Sequence, residues 1–449
     1  MRTGMGGAAA LSLIALVGLT RAARASDADT YGAGPRGTAM AGALVAGADD
    51  GSAAYYNPAG LALGARSGRT QLSIGYATGL PFVYVHRTLD DKEHQQYSTY
   101  LPPSQGWVTA AGLFPLGGKI IRDRAALGFY LDDPQNDLVR VELLDPHDPQ
   151  FLRYQADPNR LELATSLGVR FGDKVAAGIG VNVLAGIGGT ADFDMDLFGK
   201  QVRHRKLDFT LKTTAAPIVG LTVTPTDRLR FSFAYHGALS LPVVENSAIG
   251  LGDLGTLLLD VSGVVQYSPH ELAVGAMVAP TDHLRIDADL RYEMWNLAPY
   301  PAAQIKVDAT GDVLHSLGLD QALSMQTKDP PAPFQATLVP SVAVEATLPD
   351  GVTTLRAGYS FRPTYVDDQV LPDSNFLDND AHIVGLGASF QFRDPTEVFS
   401  QPLRLELAAQ GQFFQPRTVK KEQGTADPVG DYTFGGAVLA LAATLRYDF

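Results

Sequence analysis

The run Ala437-Val438-Leu439-Ala440-Leu441-Ala442-Ala443-Thr444-Leu445-Arg446-Tyr447-Asp448-Phe449 decides the fold class. Read at a period of two, Ala437, Leu439, Leu441, Ala443, Leu445, Tyr447 and Phe449 fall on one face. Ala440, Ala442, Thr444, Arg446 and Asp448 fall on the other. Successive side chains of a strand point to opposite faces, so this alternation predicts a β-strand. One face is apolar and ends in aromatics, the other is small or polar. A strand that separates lipid from a wet lumen needs both.

The pattern repeats upstream. Leu229, Phe231, Phe233 and Tyr235 oppose Arg230, Ser232, Ala234 and His236; Ile286, Ala288, Leu290 and Tyr292 oppose Arg285, Asp287, Asp289, Arg291 and Glu293. A soluble sandwich shows the same alternation with the faces reversed, so the strands alone do not choose between the two. The connections do. Tight Gly/Pro/Asp turns at 172–174, 225–227, 280–282 and 349–351 alternate with long connections at 80–104, 132–159, 188–206, 240–267, 297–333, 363–380 and 417–430. Short turns on one side and long loops on the other define a transmembrane β-barrel. The reading is all-β: a 14-stranded antiparallel barrel with strands near 69–79, 105–115, 124–131, 159–171, 175–187, 207–224, 228–239, 268–279, 283–296, 334–348, 352–362, 382–392, 402–416 and 431–449. Pro217 interrupts the sixth of these. The terminal aromatic, Phe449, resembles the C-terminal signal of outer-membrane barrels.

The rest of the 449 residues agree. There is no cysteine, so a disulfide scaffold and a cysteine metal site are excluded. With 45% hydrophobic and 18% charged residues the chain is too apolar for disorder. A net charge of −13 argues against a nucleic-acid partner. Arg2, an apolar run at 8–19 and the Ala23-Arg24-Ala25 pattern predict a signal peptide over 1–25, the run being too short to span a bilayer. After Ala25 no run of 18 apolar residues occurs, so no membrane helix is expected. Residues 26–68 are rich in Gly and Ala without alternation and read as an N-terminal hatch, or as a flexible periplasmic tail; residues 69–449 form the barrel. A barrel of this size has a lumen its own side chains cannot fill.

Within 26–68 lie Gly34-Pro35-Arg36-Gly37-Thr38-Ala39-Met40-Ala41-Gly42-Ala43, then Ala48-Asp49-Asp50, then Ala54-Tyr55-Tyr56-Asn57-Pro58-Ala59-Gly60-Leu61. This combination resembles the hatch of the long-chain fatty acid outer-membrane transporter family (FadL type), which includes aromatic-hydrocarbon uptake proteins. The resemblance implies a monomeric outer-membrane barrel of a Gram-negative bacterium. It also implies a hatch motif at Arg36, Asp49, Asp50, Asn57, Pro58, Ala59 and Gly60, capture of a hydrophobic ligand by external loops, and lateral release. Long-chain fatty acids are the first expectation for substrate, with aromatic hydrocarbons or alkanes as the alternative.

Four features bear on ligand. Small inward residues such as Ala176, Gly178, Gly180, Ala273, Gly275, Gly385 and Gly387 suit either a greasy ligand or room for the hatch. Arg291 and Arg356 are candidates to pair a fatty acid carboxylate, or to form internal salt bridges. The apolar connection 241–265 reads as an external binding site or a hairpin extension, with Leu251, Leu254, Leu257 and Leu258 at helix-like spacing. Asn57 before Pro58 suits a turn, as a movable plug contact or a purely structural corner. Acidic pairs at Asp90-Asp91, Asp132-Asp133 and Asp367-Asp368 read as external, open to cation bridging with lipopolysaccharide. No cofactor, metal or catalytic residue is expected. A structural or adhesin barrel and a hydrolase are the rivals, and the hydrolase's best pair, Ser232 and His236, lies roughly 13 Å apart along a strand, beyond direct proton transfer.

Overall fold

In the computed structural model the described residues are 27–87, 101–117, 124–135, 149–154, 161–196, 201–300, 304–326, 333–367, 375–421 and 430–449. The expected signal peptide, Asp90-Asp91 and Asp368 lie outside them. Fourteen strands follow one another around the barrel. They are β1 (Gln71–Arg87), β2 (Gln105–Pro115), β3 (Ala125–Pro134), β4 (Glu162–Phe171), β5 (Val175–Asp196), β6 (Gln201–Thr226) and β7 (Leu229–His236). Then come β8 (Glu271–Thr281), β9 (Leu284–Glu293), β10 (Thr337–Thr347), β11 (Thr353–Arg362), β12 (Ala381–Phe392), β13 (Leu403–Phe414) and β14 (Tyr432–Asp448). Each pairs antiparallel with its successor, and β14 closes onto β1 from Gln71↔Asp448 to Arg87↔Tyr432. Closure satisfies every strand edge, which a lipid environment demands.

The two faces separate as the alternation requires. On β5, Ile179 is 62% exposed while Ala176 and Leu184 are buried. On β14, Leu441 and Leu445 face out while Ala440, Ala442 and Thr444 face in. Outward aromatics cluster near the short-turn end (Phe171, Phe231, Phe390, Phe392) and again toward the long-loop end (Phe82, Tyr292, Tyr359, Phe413), the two girdles of a membrane barrel.

Two expectations change and one alternative is decided. β5 and β6 do not stop near 187 and 207 but continue as a paired ladder to Asp196↔Gln201. No strict apolar alternation marks the extension in the sequence. The connection 240–267 takes the second of its two readings, a hairpin extension, Leu239–Gly250 with Thr256–Ser268, running parallel beside β5 from Gly189↔Glu245 to Asp194↔Gly250. Finally, Pro217 does not break β6: it keeps its place opposite Val181, and its carbonyl accepts from the Gly237 N–H at 2.8 Å.

The lumen is filled by the segment before β1. Four short helices, α1 (Asp27–Tyr31), α2 (Gly34–Ala39), α3 (Ala53–Tyr56) and α4 (Ala59–Gly64), are almost wholly buried. Interior glycines make the fit. A Cβ on Gly178 would collide with Pro58, on Gly220 with Asn57, on Gly358 with Met40 and on Gly385 with Ala39. The small inward residues therefore make room for the hatch backbone.

Candidate functional site

The hatch divides the lumen into a periplasmic floor and an outer chamber. The floor is built around Arg36 of α2. Its Nη1 donates to Asp49 at 2.9 Å and Asp50 at 3.1 Å, and its Nε donates to Glu345 of β10 at 3.1 Å. Asp49 also receives Arg230 of β7 at 3.2 Å and Arg285 of β9 at 3.1 Å. Glu345 is shared with Arg356 of β11 at 2.7 Å, and Arg356 reaches Glu406 of β13 at 3.7 Å. Arg446 of β14 lies 3.9 Å from Asp50. Burial alone would raise the Asp49 carboxyl, but Arg285, Arg36 and Arg230 together hold it well below the usual carboxylate range. Asp50 is lowered by the same balance, through Arg36 and Arg446. Asp49 and Asp50 are thus tied to arginines of the barrel wall, Arg230, Arg285 and Arg446.

Asn57 ends α3 and binds both ways. Its Nδ2 donates to the Val45 carbonyl at 2.8 Å and to Thr222 Oγ1 of β6 at 3.1 Å, while its Oδ1 accepts from Ala59 N at 3.1 Å. It is thus a local turn, which Pro58 propagates into α4, and a hatch–wall contact. Ala59 and Gly60 are fully enclosed.

The outer chamber lies beyond α1. Arg291 of β9 sits 3.7 Å from Glu271 and 3.9 Å from Glu293 and lies against Gly42 of the hatch. Arg153 stacks over Trp295 at 5.2 Å and Tyr365 at 4.8 Å, with Asp378 at 3.9 Å. Arg362 donates to Gln412 at 3.2 Å and to the Tyr154 hydroxyl. Tyr31 of α1 stacks on Trp107 at 5.1 Å. Asp132 is not external as expected: it is 2% exposed, faces the lumen opposite Glu162, and accepts from Tyr130 at 2.7 Å. The chamber is tightly filled, since the cavities along α1 measure only about 30 and 20 Å³.

The four leucines do not form a helix. Leu254 ends a single 3₁₀ turn (Gly252–Leu254), Leu257 and Leu258 are successive strand residues on opposite faces, and Leu251 is buried beside the turn. Helical spacing arises by chance where a hairpin turns. Beside this hairpin the short helices α5 (Asp312–Ser316) and α6 (Leu319–Leu323) expose Val313, Leu317 and Leu319, which with Leu258 and Met325 leave apolar surface on the external tip. Ser232 and His236 make no contact with each other; the Ser232 hydroxyl bonds Thr222 at 2.8 Å. Reading the sequence missed Arg153, Trp295 and Tyr365, which come from connections and a strand end that carry no periodic signal.

A lipid-faced barrel, plugged from within and crowned by apolar external surface, is an outer-membrane channel for hydrophobic compounds. Residues 14–449 match the family described as "Outer membrane protein transport protein (OMPP1/FadL/TodX)", and the chain belongs to this family. It is 23% identical over 445 residues to alkane uptake protein A of Marinobacter nauticus, covering 93% of this chain and 92% of that one. Its fold is similar to the Pseudomonas putida toluene transporter TodX (TM-score 0.57, 14% identity, 94% and 99% of the two chains). It is also similar to a Pseudomonas aeruginosa FadL homologue (TM-score 0.55, 17% identity, 94% and 98%). The protein is a non-enzymatic uptake channel of the Gram-negative outer membrane.

Proposed function

We propose that the compound taken up is a neutral hydrocarbon, an alkane or aromatic molecule, caught on the external tip and passed into the outer chamber by displacement of side chains around α1. The observation that carries this is the charge of the chamber. Asp29, Asp132, Glu162, Glu271 and Glu293 surround it, and Arg291 and Arg153 already face carboxylates. An incoming carboxylate would be desolvated among like charges, which costs several kcal/mol in a low-dielectric site, whereas a hydrocarbon brings no charge to desolvate. The printed name of the Marinobacter relative, an alkane uptake protein, is in keeping with this.

Release is lateral, through the wall. The floor beneath the hatch is a network of buried ion pairs around Arg36, and a hydrocarbon crossing it would have to separate those pairs. A single chain suffices for this, because the barrel closes within it.

Long-chain fatty acids remain the second reading because of Arg362, whose guanidinium among the described residues is held only by the neutral groups of Gln412 and Tyr154. Uptake of labelled hexadecane and oleate into a channel-deficient host separates the two. Hexadecane uptake indifferent to Arg362→Gln supports the hydrocarbon reading; oleate uptake abolished by that change supports the other.

A further inference from the structure

The periplasmic mouth of the lumen contains a cavity of about 230 Å³, lined by the turns at 282–283 and 351–354 and by Arg36, Arg285, Arg356, Arg404 and Arg446. A single water needs roughly 15 Å³ of such space, so there is room for a hydrated polyatomic ion. Five of the guanidiniums at this mouth, Arg36, Arg230, Arg285, Arg356 and Arg446, are ion-paired with Asp49, Asp50, Glu345, Glu406 or Asp448, and Asp282, which also lines the cavity, pairs with Arg228 at 2.9 Å. Arg404 is the guanidinium of this group without an ion pair among the described residues. Among the described residues no carboxylate oxygen lies within 4.0 Å of it and it donates no hydrogen bond, although its neighbours are all paired.

Its position sharpens the point. Arg404 of β13 stands directly opposite Arg446 of β14 in the ladder, both side chains turned to the lumen. Like charges directly opposed across strands are destabilising. Arg446 is already bound in two-point fashion by Asp448, at 2.7 and 2.9 Å, and cannot turn away. An anion between the two guanidiniums would remove the repulsion and give Arg404 the forked partner its geometry suits.

We propose that this mouth is a binding site for a small oxyanion, a phosphate or a carboxylate, centred on Arg404 and completed by Arg446. The anion comes either from free solutes of the periplasm or from the end group of an amphiphile entering from the periplasmic side. The site stands whether or not hydrocarbons are the transported class, because its test reads binding, not uptake.

The test is calorimetric titration of the full chain in a non-ionic detergent with sodium phosphate, acetate and octanoate. Saturable binding that Arg404→Gln weakens at least tenfold is expected, with Arg404→Lys in between because it keeps charge but loses the fork. Phosphate and acetate binding alike would assign the anion to small periplasmic solutes, octanoate alone to an amphiphile entering from the periplasmic side, and either supports the site. Heat-modifiable gel migration reports whether each variant folds. In the unaltered chain, phosphate should also protect Arg404 from phenylglyoxal while leaving exposed Arg228 reactive, as mapped by mass spectrometry. No saturation by any of the three anions, binding indifferent to Arg404→Gln, or no protection of Arg404 would overturn the proposal.

Discussion

Arg36 of the hatch and Glu345 of the barrel wall, 309 positions apart in sequence, are joined Nε to Oε2 at 3.1 Å in the buried floor of the lumen. This pair ties a string of helices, each six residues or shorter, to the β-ladder. Breaking one partner of a buried ion pair typically costs about 3–5 kcal/mol, because the other charge is stranded. Arg36→Ala strands Asp49, Asp50 and Glu345 beside fewer cations, so the hatch should loosen while the barrel stays closed. Limited proteolysis should cut within 27–68 at least tenfold faster than in the parent, with heat-modifiable gel migration retained.

The same network gives the hatch an acid limit. The carboxyls of Asp49 and Asp50 are held below their ordinary value near 3.9 in the folded protein. A depressed folded-state value means stabilisation that is complete above the unfolded value and lost as pH falls through the folded one. Hatch protection should therefore be flat from neutral pH to about 5 and decline below roughly 4. Hydrogen exchange of the amides of 34–56 across pH 3–7 checks this; a loss of protection between pH 5 and 7 would contradict it.

The glycine cradle predicts a steric effect. Gly358→Val and Gly220→Val drive a branched side chain into Met40 and Asn57. Burying extra methyl groups in a filled site typically costs about 1–3 kcal/mol. The hatch should be displaced and small polar solutes should begin to leak, read as swelling of liposomes with a sugar. Leu386→Val, at a lipid-facing position of β12, should leave the seal intact.

Glu271 and Glu293 are argued to keep carboxylate ligands out by occupying Arg291. Glu271→Gln with Glu293→Gln should free that guanidinium and raise oleate binding several-fold while leaving hexadecane binding within twofold. Fluorescence displacement in detergent measures both. Equal gains for the two ligands would mean the acids act by bulk, not charge.

The barrel was legible because lipid imposes a strict rule on every crossing strand: Ile179, Leu441 and Leu445 must face out while Ala176, Ala440 and Thr444 face in. Where that rule stops, so does the signal. The extension of β5 to Asp196 lacks the strict apolar alternation of a lipid-crossing strand, and the hairpin at Leu239–Ser268 was open to two readings in the sequence. The hatch declared itself through Arg36, Asp49, Asp50 and Asn57, which lie close together in sequence. Their partners did not, because Arg230, Glu345, Arg356 and Thr222 come from four different strands and meet only when the barrel closes. Asp132 misled for the opposite reason: an acidic pair near a strand end looks external, yet β3 continues to Pro134 and turns that carboxylate inward.

The central claim is that the channel admits neutral hydrocarbons past a chamber that disfavours anions. The most direct measurement is initial uptake of carbon-14 hexadecane and oleate, side by side, by cells lacking their own channel and expressing this chain or its Arg36→Ala form. Hexadecane uptake well above the empty host, with oleate near background, is the predicted result. Oleate uptake equal to or faster than hexadecane, or neither compound above background, would contradict it.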